Sequence, residues 1–409
     1  MRREMILRDM GSSIDSAGSP WEVLRAFLAL GLRCFGGPVA HIGYFHDEFV
    51  MRRRWLDEEG FADLVGLCQF LPGPASSQIG FAIGLLRAGY LGGFAAWFGF
   101  TLPSAAALVL FARAMGAFAG PAGAALLHGL KLVAVAVVAQ AVLGMARNLC
   151  SDRARASIAL VAALIVLWGA SSAVQIVAIM LGATAGLLFC RGAAPRTAAT
   201  VLAFPVSPAA GAAALIGFFG LLAGVPVWRS LADGMGLAHF EAFYRAGALV
   251  FGGGHVVLPL LHDAFVSRGW VDDRAFLAGY GAAQAVPGPL FTFAAYLGFL
   301  VSPQHRLSGA VLGLLGIFLP GILVLVGALP YWSRLRAGVA ARAAMRGVNA
   351  AVVGLLAAAL YSPIWTTTIR GPRDFAIALA GFVMLTVWKA PPVAVVAFCA
   401  IAATIIPHA

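Results

Sequence analysis

The sequence predicts an all-α polytopic membrane protein with two homologous helical repeats in inverted orientation and helices broken or made re-entrant at Pro-Gly-Pro. Three observations carry this. Of 409 residues, 61% are hydrophobic and 11% charged, against about 45–50% and about 25% in a soluble chain; mean hydropathy is +0.91. Apolar runs at 124–146, 157–190 and 374–406 approach or exceed the roughly 20 residues that span a bilayer, and their continuity argues against a barrel. Finally, CQFLPGPASSQ at 68–78 returns as AQAVPGPLFTF at 283–293.

In chain order, residues 1–20 lack an apolar core and read as a cytoplasmic arm rather than a signal peptide. Ser19-Pro20-Trp21-Glu22 then opens a helix, with Ser at the N-cap, Pro at the first helical position and Glu three after the cap. A first repeat covers 21–190. Its landmarks recur in a second repeat over 237–409: Phe35-Gly36-Gly37 with Phe251-Gly252-Gly253, His46-Asp47 with His262-Asp263, Trp55-Leu56-Asp57 with Trp270-Val271-Asp272, Gln69 with Gln284, Leu102-Pro103 with Leu319-Pro320, and Gly129 with Gly347. An offset near 215 residues marks duplication rather than a solenoid. The linker 191–236 holds AAGAAALIGFFGLLAGV, one extra transmembrane helix at about 209–226 with no counterpart in either repeat.

One extra span inverts whatever follows it, provided that each repeat makes an even number of crossings. Charge agrees. Basic residues cluster at Arg52-Arg53-Arg54 and at 147–155 in the first repeat, whereas in the second they move to Arg334, Arg336, Arg342 and Arg346. Such swapped bias is what inverted repeats show under the positive-inside rule. It predicts a cytoplasmic N-terminus and a periplasmic C-terminus, although Arg370 and Arg373 fit less well. Segments 21–50 and 61–90 can each be a crossing pair or a re-entrant hairpin.

The breaks are the candidate binding elements. A helix interrupted inside hydrocarbon survives only where protein or a polar cavity satisfies its amides, and such breaks form substrate sites in many transporters. Pro72-Gly73-Pro74 is followed by Ser76, Ser77 and Gln78; Pro287-Gly288-Pro289 is followed by Thr292, the counterpart of Ser77. Gln69 and Gln284 sit three residues before each break. The second paired element is Gly36-Gly37-Pro38 with Gly252-Gly253-Gly254, either an anion nest or a small-residue packing contact. Arg33 is the cationic candidate for the substrate. Among charges in apolar sequence, Arg25 and Glu241 occupy equivalent positions and could pair, and Glu48 is either a proton-coupling residue or a partner of Arg52.

The net charge of +11 suits cytoplasmic loops or attraction of an anion, not nucleic acid, since no soluble domain presents a basic face. The five cysteines are scattered, and no metal, cofactor or catalytic residue is expected. An intramembrane enzyme would need haem-ligating His pairs, a Ser/His or Cys/His arrangement or a dinucleotide fold; no nucleotide-binding G-x-x-x-x-G-K-[ST] occurs either.

Residues 35–84, from FGGPVAHIGYF to QFLPGPASSQIGFAIG, and their echo at 251–298 resemble the chromate ion transporter family in its long, two-domain form. The resemblance implies efflux of chromate across the bacterial inner membrane, giving chromate resistance. It implies two oppositely oriented halves around a central span, with competition from sulfate. Proton antiport or membrane potential would drive the export. The expected partners are the chromate anion, with sulfate or another tetrahedral oxyanion as alternative cargo, and the lipid bilayer; a homodimer is one allowed assembly. The second copy departs from the first: Gly254 stands for Pro38, Ala264 for Glu48 and Phe293 for Gln78. The first half is therefore expected to hold more substrate contacts.

Overall fold

A computed structural model describes residues 18–35, 37–115, 120–169, 172–191, 202, 204–231, 234–251, 256–332 and 338–405. Among these, every regular element is a helix. The first half contains α1 (Pro20–Gly31), α2 (Gly37–Phe45) running into a π-helical turn His46–Arg52, α3 (Glu58–Phe70), α4 (Ala75–Ala114), α5 (Pro121–Leu149), α6 (Arg153–Trp168) and α7 (Ser172–Phe189). Helix α8 (Pro208–Leu231) stands between the halves. The second half repeats the order with α9 (Met235–Ala248), α10 (Val257–Phe265), α11 (Asp273–Ala285), α12 (Phe293–Val301), α13 (Arg306–Ala328), α14 (Val339–Ala359), α15 (Pro372–Thr386) and α16 (Pro392–Ile405).

Local chemistry accounts for the boundaries. Ser19 Oγ accepts the Glu22 amide at 3.1 Å. The duplicated Trp-x-Asp is in part a helix cap, because Asp57 accepts the Gly60 amide at 2.8 Å and Asp272 the Ala275 amide at 3.0 Å. Such a cap contributes about 1 kcal/mol. The runs 157–190 and 374–406, each longer than one span, divide into helix pairs at Gly169 and at Lys389-Ala390-Pro391. Helix α8 carries on past the apolar run, through Pro226, to Leu231.

Among the described residues, five helical stretches are long and apolar enough to cross a membrane: Ala75–Ala114, Gly123–Leu149, Pro208–Leu231, Arg306–Tyr331 and Val339–Thr368. The protein is a multi-pass membrane protein. Helices α1 and α3 have 12 and 13 residues, about 20 Å each, short of a hydrocarbon core of about 30 Å. Helix α4 breaks at Ala88 and Gly89, where Gly89 has φ +63°, and folds into a hairpin whose arms touch at Gly84 and Gly92. The second half builds the same hairpin from α12 and α13, touching at Gly298 and Gly309.

The halves are interleaved. Helix α5 packs against α15 and α16 of the other half, and α14 packs against α6 and α7. The matched glycines lie at these crossings. A β-carbon on Gly129 would come within 2.6 Å of Cys399 O, and one on Gly347 would strike Gly182 O. One apolar core joins α1, α3 and the first arm of α4 to α8 and the end of α13; the other surrounds α5, α9 to α12 and α14.

Candidate functional site

The two Pro-Gly-Pro breaks reach across to the opposite half in the same way. Gly73 N–H donates to Val250 O at 2.7 Å, and Gly288 N–H donates to Cys34 O at 2.8 Å. Val250 and Cys34 are equivalent residues, each immediately before its Phe-Gly-Gly. Both break glycines have positive φ, +121° at Gly73 and +102° at Gly288, which an L side chain rarely adopts. Each also abuts the proline-containing helix of the other half: Gly73 faces Gly321 Cα, and Gly288 faces Ser104 Oγ and Phe100 O. Contacts exchanged between equivalent residues are the signature of a two-fold relation.

The flanks of the two breaks differ. After Pro74, α4 starts directly as an α-helix with no side-chain cap. Its first amides therefore have no intrahelical acceptor, and its positive dipole end lies at the break. Ser76, Ser77 and Gln78 are all buried there, and Ser77 Oγ and Gln78 Oε1 have no hydrogen-bond partner among the described residues. After Pro289 the chain first makes a tight 3-10 turn, Leu290–Thr292, and Thr292 Oγ1 donates back to Pro289 O at 2.8 Å. The hydroxyl after the second break is thus satisfied locally, whereas that of Ser77 after the first is not.

Gln78 is a bridge between halves. Its Nε2 donates to Pro72 O and to Gly321 O, both at 2.9 Å. Gln69 is exposed, while Gln284 is half-buried with an unpartnered Nε2. Gly37 has φ +77°, so its glycine is conformationally required. Gly36, Gly252, Gly253 and Gly254 lie outside the described residues, as do the side chain of Pro38 and Arg334 and Arg336.

The proposed charges pair as expected at Glu48, which meets Arg52, and differently at Arg25 and Glu241. Glu48 is buried and accepts from Arg53 at 2.7 Å, Arg52 at 2.9 Å and Arg33 at 3.5 Å. Arg33 is therefore tied to a carboxylate near the surface, its side chain 53% exposed. The suggested Arg25–Glu241 pair does not form. Buried Glu241 binds Arg229 at 2.8 Å and Arg245 at 3.2 Å, and Arg25 points outward. Arg245 lies one helical turn after Glu241, a nearer partner than a residue in the other half. The paired histidines both meet acids, His46 with Glu58 and His262 with Asp273, each at 2.9 Å. Glu58 raises the partly exposed His46 above its ordinary pKa.

Ser104, Gly321 and Thr101, near the breaks, carry no sequence signal of their own. Ser104 and Gly321 follow the matched Leu-Pro pairs, so the repeat marks only their neighbourhood. His41 is fully buried against Phe100, ring centroids 5.2 Å apart, with neither ring nitrogen bonded among the described residues. Thr101 Oγ1 is likewise buried and unpartnered. Polar atoms left unpaired in an interior cost about 1–3 kcal/mol each.

Comparison with known proteins agrees with this architecture. The family model described as chromate transporter matches twice, at residues 21–187 and 237–404. The chromate transport protein of Pseudomonas aeruginosa is 30% identical over 388 residues, covering 90% of this chain and 87% of that protein. A probable chromate transport protein of Synechococcus elongatus is 28% identical over 85% of each. The chromate transport protein of Cupriavidus metallidurans is 26% identical over 83% of this chain and 81% of its own length. No solved structure matches. Two matches of the family model, one on each half of a chain whose breaks meet reciprocally, make this protein a member of the chromate transporter family.

Proposed function

We propose that the protein exports chromate from the cytoplasm across the inner membrane as a secondary active transporter, driven by proton antiport or membrane potential. Relatives named as chromate transport proteins span most of the chain. The observation that carries the reading is the reciprocal pair of hydrogen bonds, Gly73 to Val250 and Gly288 to Cys34. Each break closes onto the opposite half, which supports a site built from both halves.

Chromate is a tetrahedral dianion. The uncapped start of α4 offers it backbone N–H groups, a positive dipole end and the hydroxyls of Ser76 and Ser77. Neutral donors hold a dianion without trapping it, and release is half of transport. The short α1–α2 and α3–α4 segments suit re-entrant hairpins. The second arm of α4 with α5, α6 and α7 then gives an even number of crossings, α8 reverses the chain, and the second half runs inverted with its C-terminus outside. Rocking one half against the other would expose the shared locus to each side in turn.

The test is uptake of labelled chromate into everted vesicles with and without a proton gradient, competed by sulfate. Gradient-dependent uptake that excess sulfate only partly suppresses is expected. No uptake by correctly inserted protein overturns the export reading, and preferential accumulation of sulfate replaces chromate with the other dianion.

A further inference from the structure

Away from the breaks, the structure holds a buried set of ionisable groups between the halves. Lys131 lies in α5, eight residues inside the apolar stretch Gly123–Leu149, and is 4% exposed. Its Nζ is 3.8 Å from Asp273 Oδ2 at the start of α11, and it donates to Thr367 O at 3.2 Å. Asp273 also holds His262 at 2.9 Å. One turn before Lys131, His128 Nε2 is 2.9 Å from Asp374 Oδ1 in α15, and Asp374 Oδ2 accepts the Arg370 amide at 2.9 Å. Helix α5 belongs to the first half; α11 and α15 belong to the second.

Burial is graded. Side-chain exposure is 26% at Asp273 and 16% at His262, but 5% at Lys131 and 2% at Asp374. Asp273 is thus the acid of the set that reaches the molecular surface, while its ammonium partner is enclosed. Duplication makes the arrangement specific. In the equivalent pair His46–Glu58 the carboxylate side chain is 66% exposed, and the positions matching Lys131 and His128 are Asn349 and Arg346. Only one of the two copies thus couples its His–acid pair to a buried lysine. A charge in a span is expensive and is retained for pairing or function; here the charged contact also crosses the interface that rocking must change.

We infer that Asp273, held between Lys131 and His262, is the proton-binding site that couples transport to the proton gradient. This rests on the transport reading above. With Asp273 ionised, Lys131 ties α5 to α11. A proton added to a carboxylate oxygen of Asp273 removes that counter-charge and favours the arrangement with the helices apart; its loss on the other side restores the tie. No bond other than O–H forms or breaks. Other charged groups around Lys131 are Asp272 and Arg274, flanking Asp273 at the start of α11, and Arg370 preceding α15. They set the local field. Proton and chromate affect each other through the two arrangements, as linked ligands must.

The test uses the full chain in liposomes and two readouts: chromate–chromate exchange without a gradient, and accumulation driven by a pH gradient. Asp273→Asn and the double variant Asp273→Asn/Lys131→Met, which leaves no unpaired buried charge, are compared with wild type. Gradient-driven accumulation should fall at least about tenfold while exchange stays within about threefold, as expected for lost coupling with intact binding. His46→Gln, in the exposed copy, should change neither. Undiminished gradient-driven accumulation in both variants overturns the assignment. So does a parallel loss of exchange in both, which marks a structural contact. Absence of exchange in wild type instead overturns the transport reading itself.

Discussion

The first break and the second differ more in their flanks than in their centres. Both put a glycine at positive φ and donate its amide to the same position of the opposite half. Yet the first is surrounded by Ser76, Ser77 and Gln78, and the second by Phe291, Thr292 and Phe293, with the one hydroxyl turned back onto Pro289. Geometry that must be common to both halves has been kept. The flanking side chains have diverged: Ser77 keeps an unpartnered hydroxyl among the described residues in the first half, and Phe291 and Phe293 are buried in the second.

The largest expected effect breaks the common part. Gly73→Val forces a β-branched residue to φ +121° with its β-carbon 2.8 Å from Gly321 Cα, a backbone neighbour that cannot yield. Vesicle transport should fall at least about a hundredfold, on the order of 3 kcal/mol, within the range of local backbone strain. Gly288→Val meets Ser104 Oγ at 2.8 Å, a side chain. Ser104→Gly, which restores the glycine found at the matching Gly321, should recover part of its activity and none of that of Gly73→Val. Equal rescue of both would show that the contacts are not two different kinds.

Next, Gln78→Phe gives the first half the residue of the second. Two carbonyls, Pro72 O and Gly321 O, lose their shared donor, at about 1–3 kcal/mol for each group left buried. Thermal unfolding in detergent should shift down by several degrees, with transport reduced about tenfold. An unchanged melting temperature would mean that Gln78 does not bridge the halves.

The two buried glutamates come third. Glu48→Gln releases three arginines and Glu241→Gln two. The arginines are partly solvated, so each loss should be about 1–2 kcal/mol rather than the 3–5 of a fully buried pair. Glu48→Gln should cost more, read as the difference in melting temperature between the variants.

The smallest effect is titration of His46. Glu58 raises its pKa, so the stabilisation is present below the ordinary imidazole value and is lost as pH rises through the raised one. Wild type should melt slightly higher at pH 5.5 than at pH 8, and His46→Gln should flatten that difference. A steeper profile in the variant would assign the pH dependence elsewhere.

Much of this was legible in the sequence because duplication writes constraints twice. Gly73 and Gly288, Asp57 and Asp272, and Gly129 and Gly347 matched as residues. The first pair makes a left-handed turn, the second caps a helix and the third lets two helices cross. What stayed hidden was pairing in space. Arg25 and Glu241 are equivalent positions, but equivalence does not imply contact, and Glu241 took the nearer Arg229 and Arg245. Ser104 meets Gly288 only because the halves cross, which no local pattern records. Lys131 was visible as a charge in an apolar run; its partner Asp273 lies in the other half.

The interleaving of α5 with α15 and α16 bears on biogenesis. Roughly 220 residues separate α5 from α15, so at about 5–20 residues per second α5 waits on the order of 10–45 s for its partners. During that interval Lys131 and His128 sit in a helix without Asp273 and Asp374, and the Gly129 surface has nothing to close on. The nascent first half must therefore be sheltered at the insertion machinery or by other polypeptide until the second emerges. Assembly quality, as much as the transport cycle, then depends on those few interfacial residues.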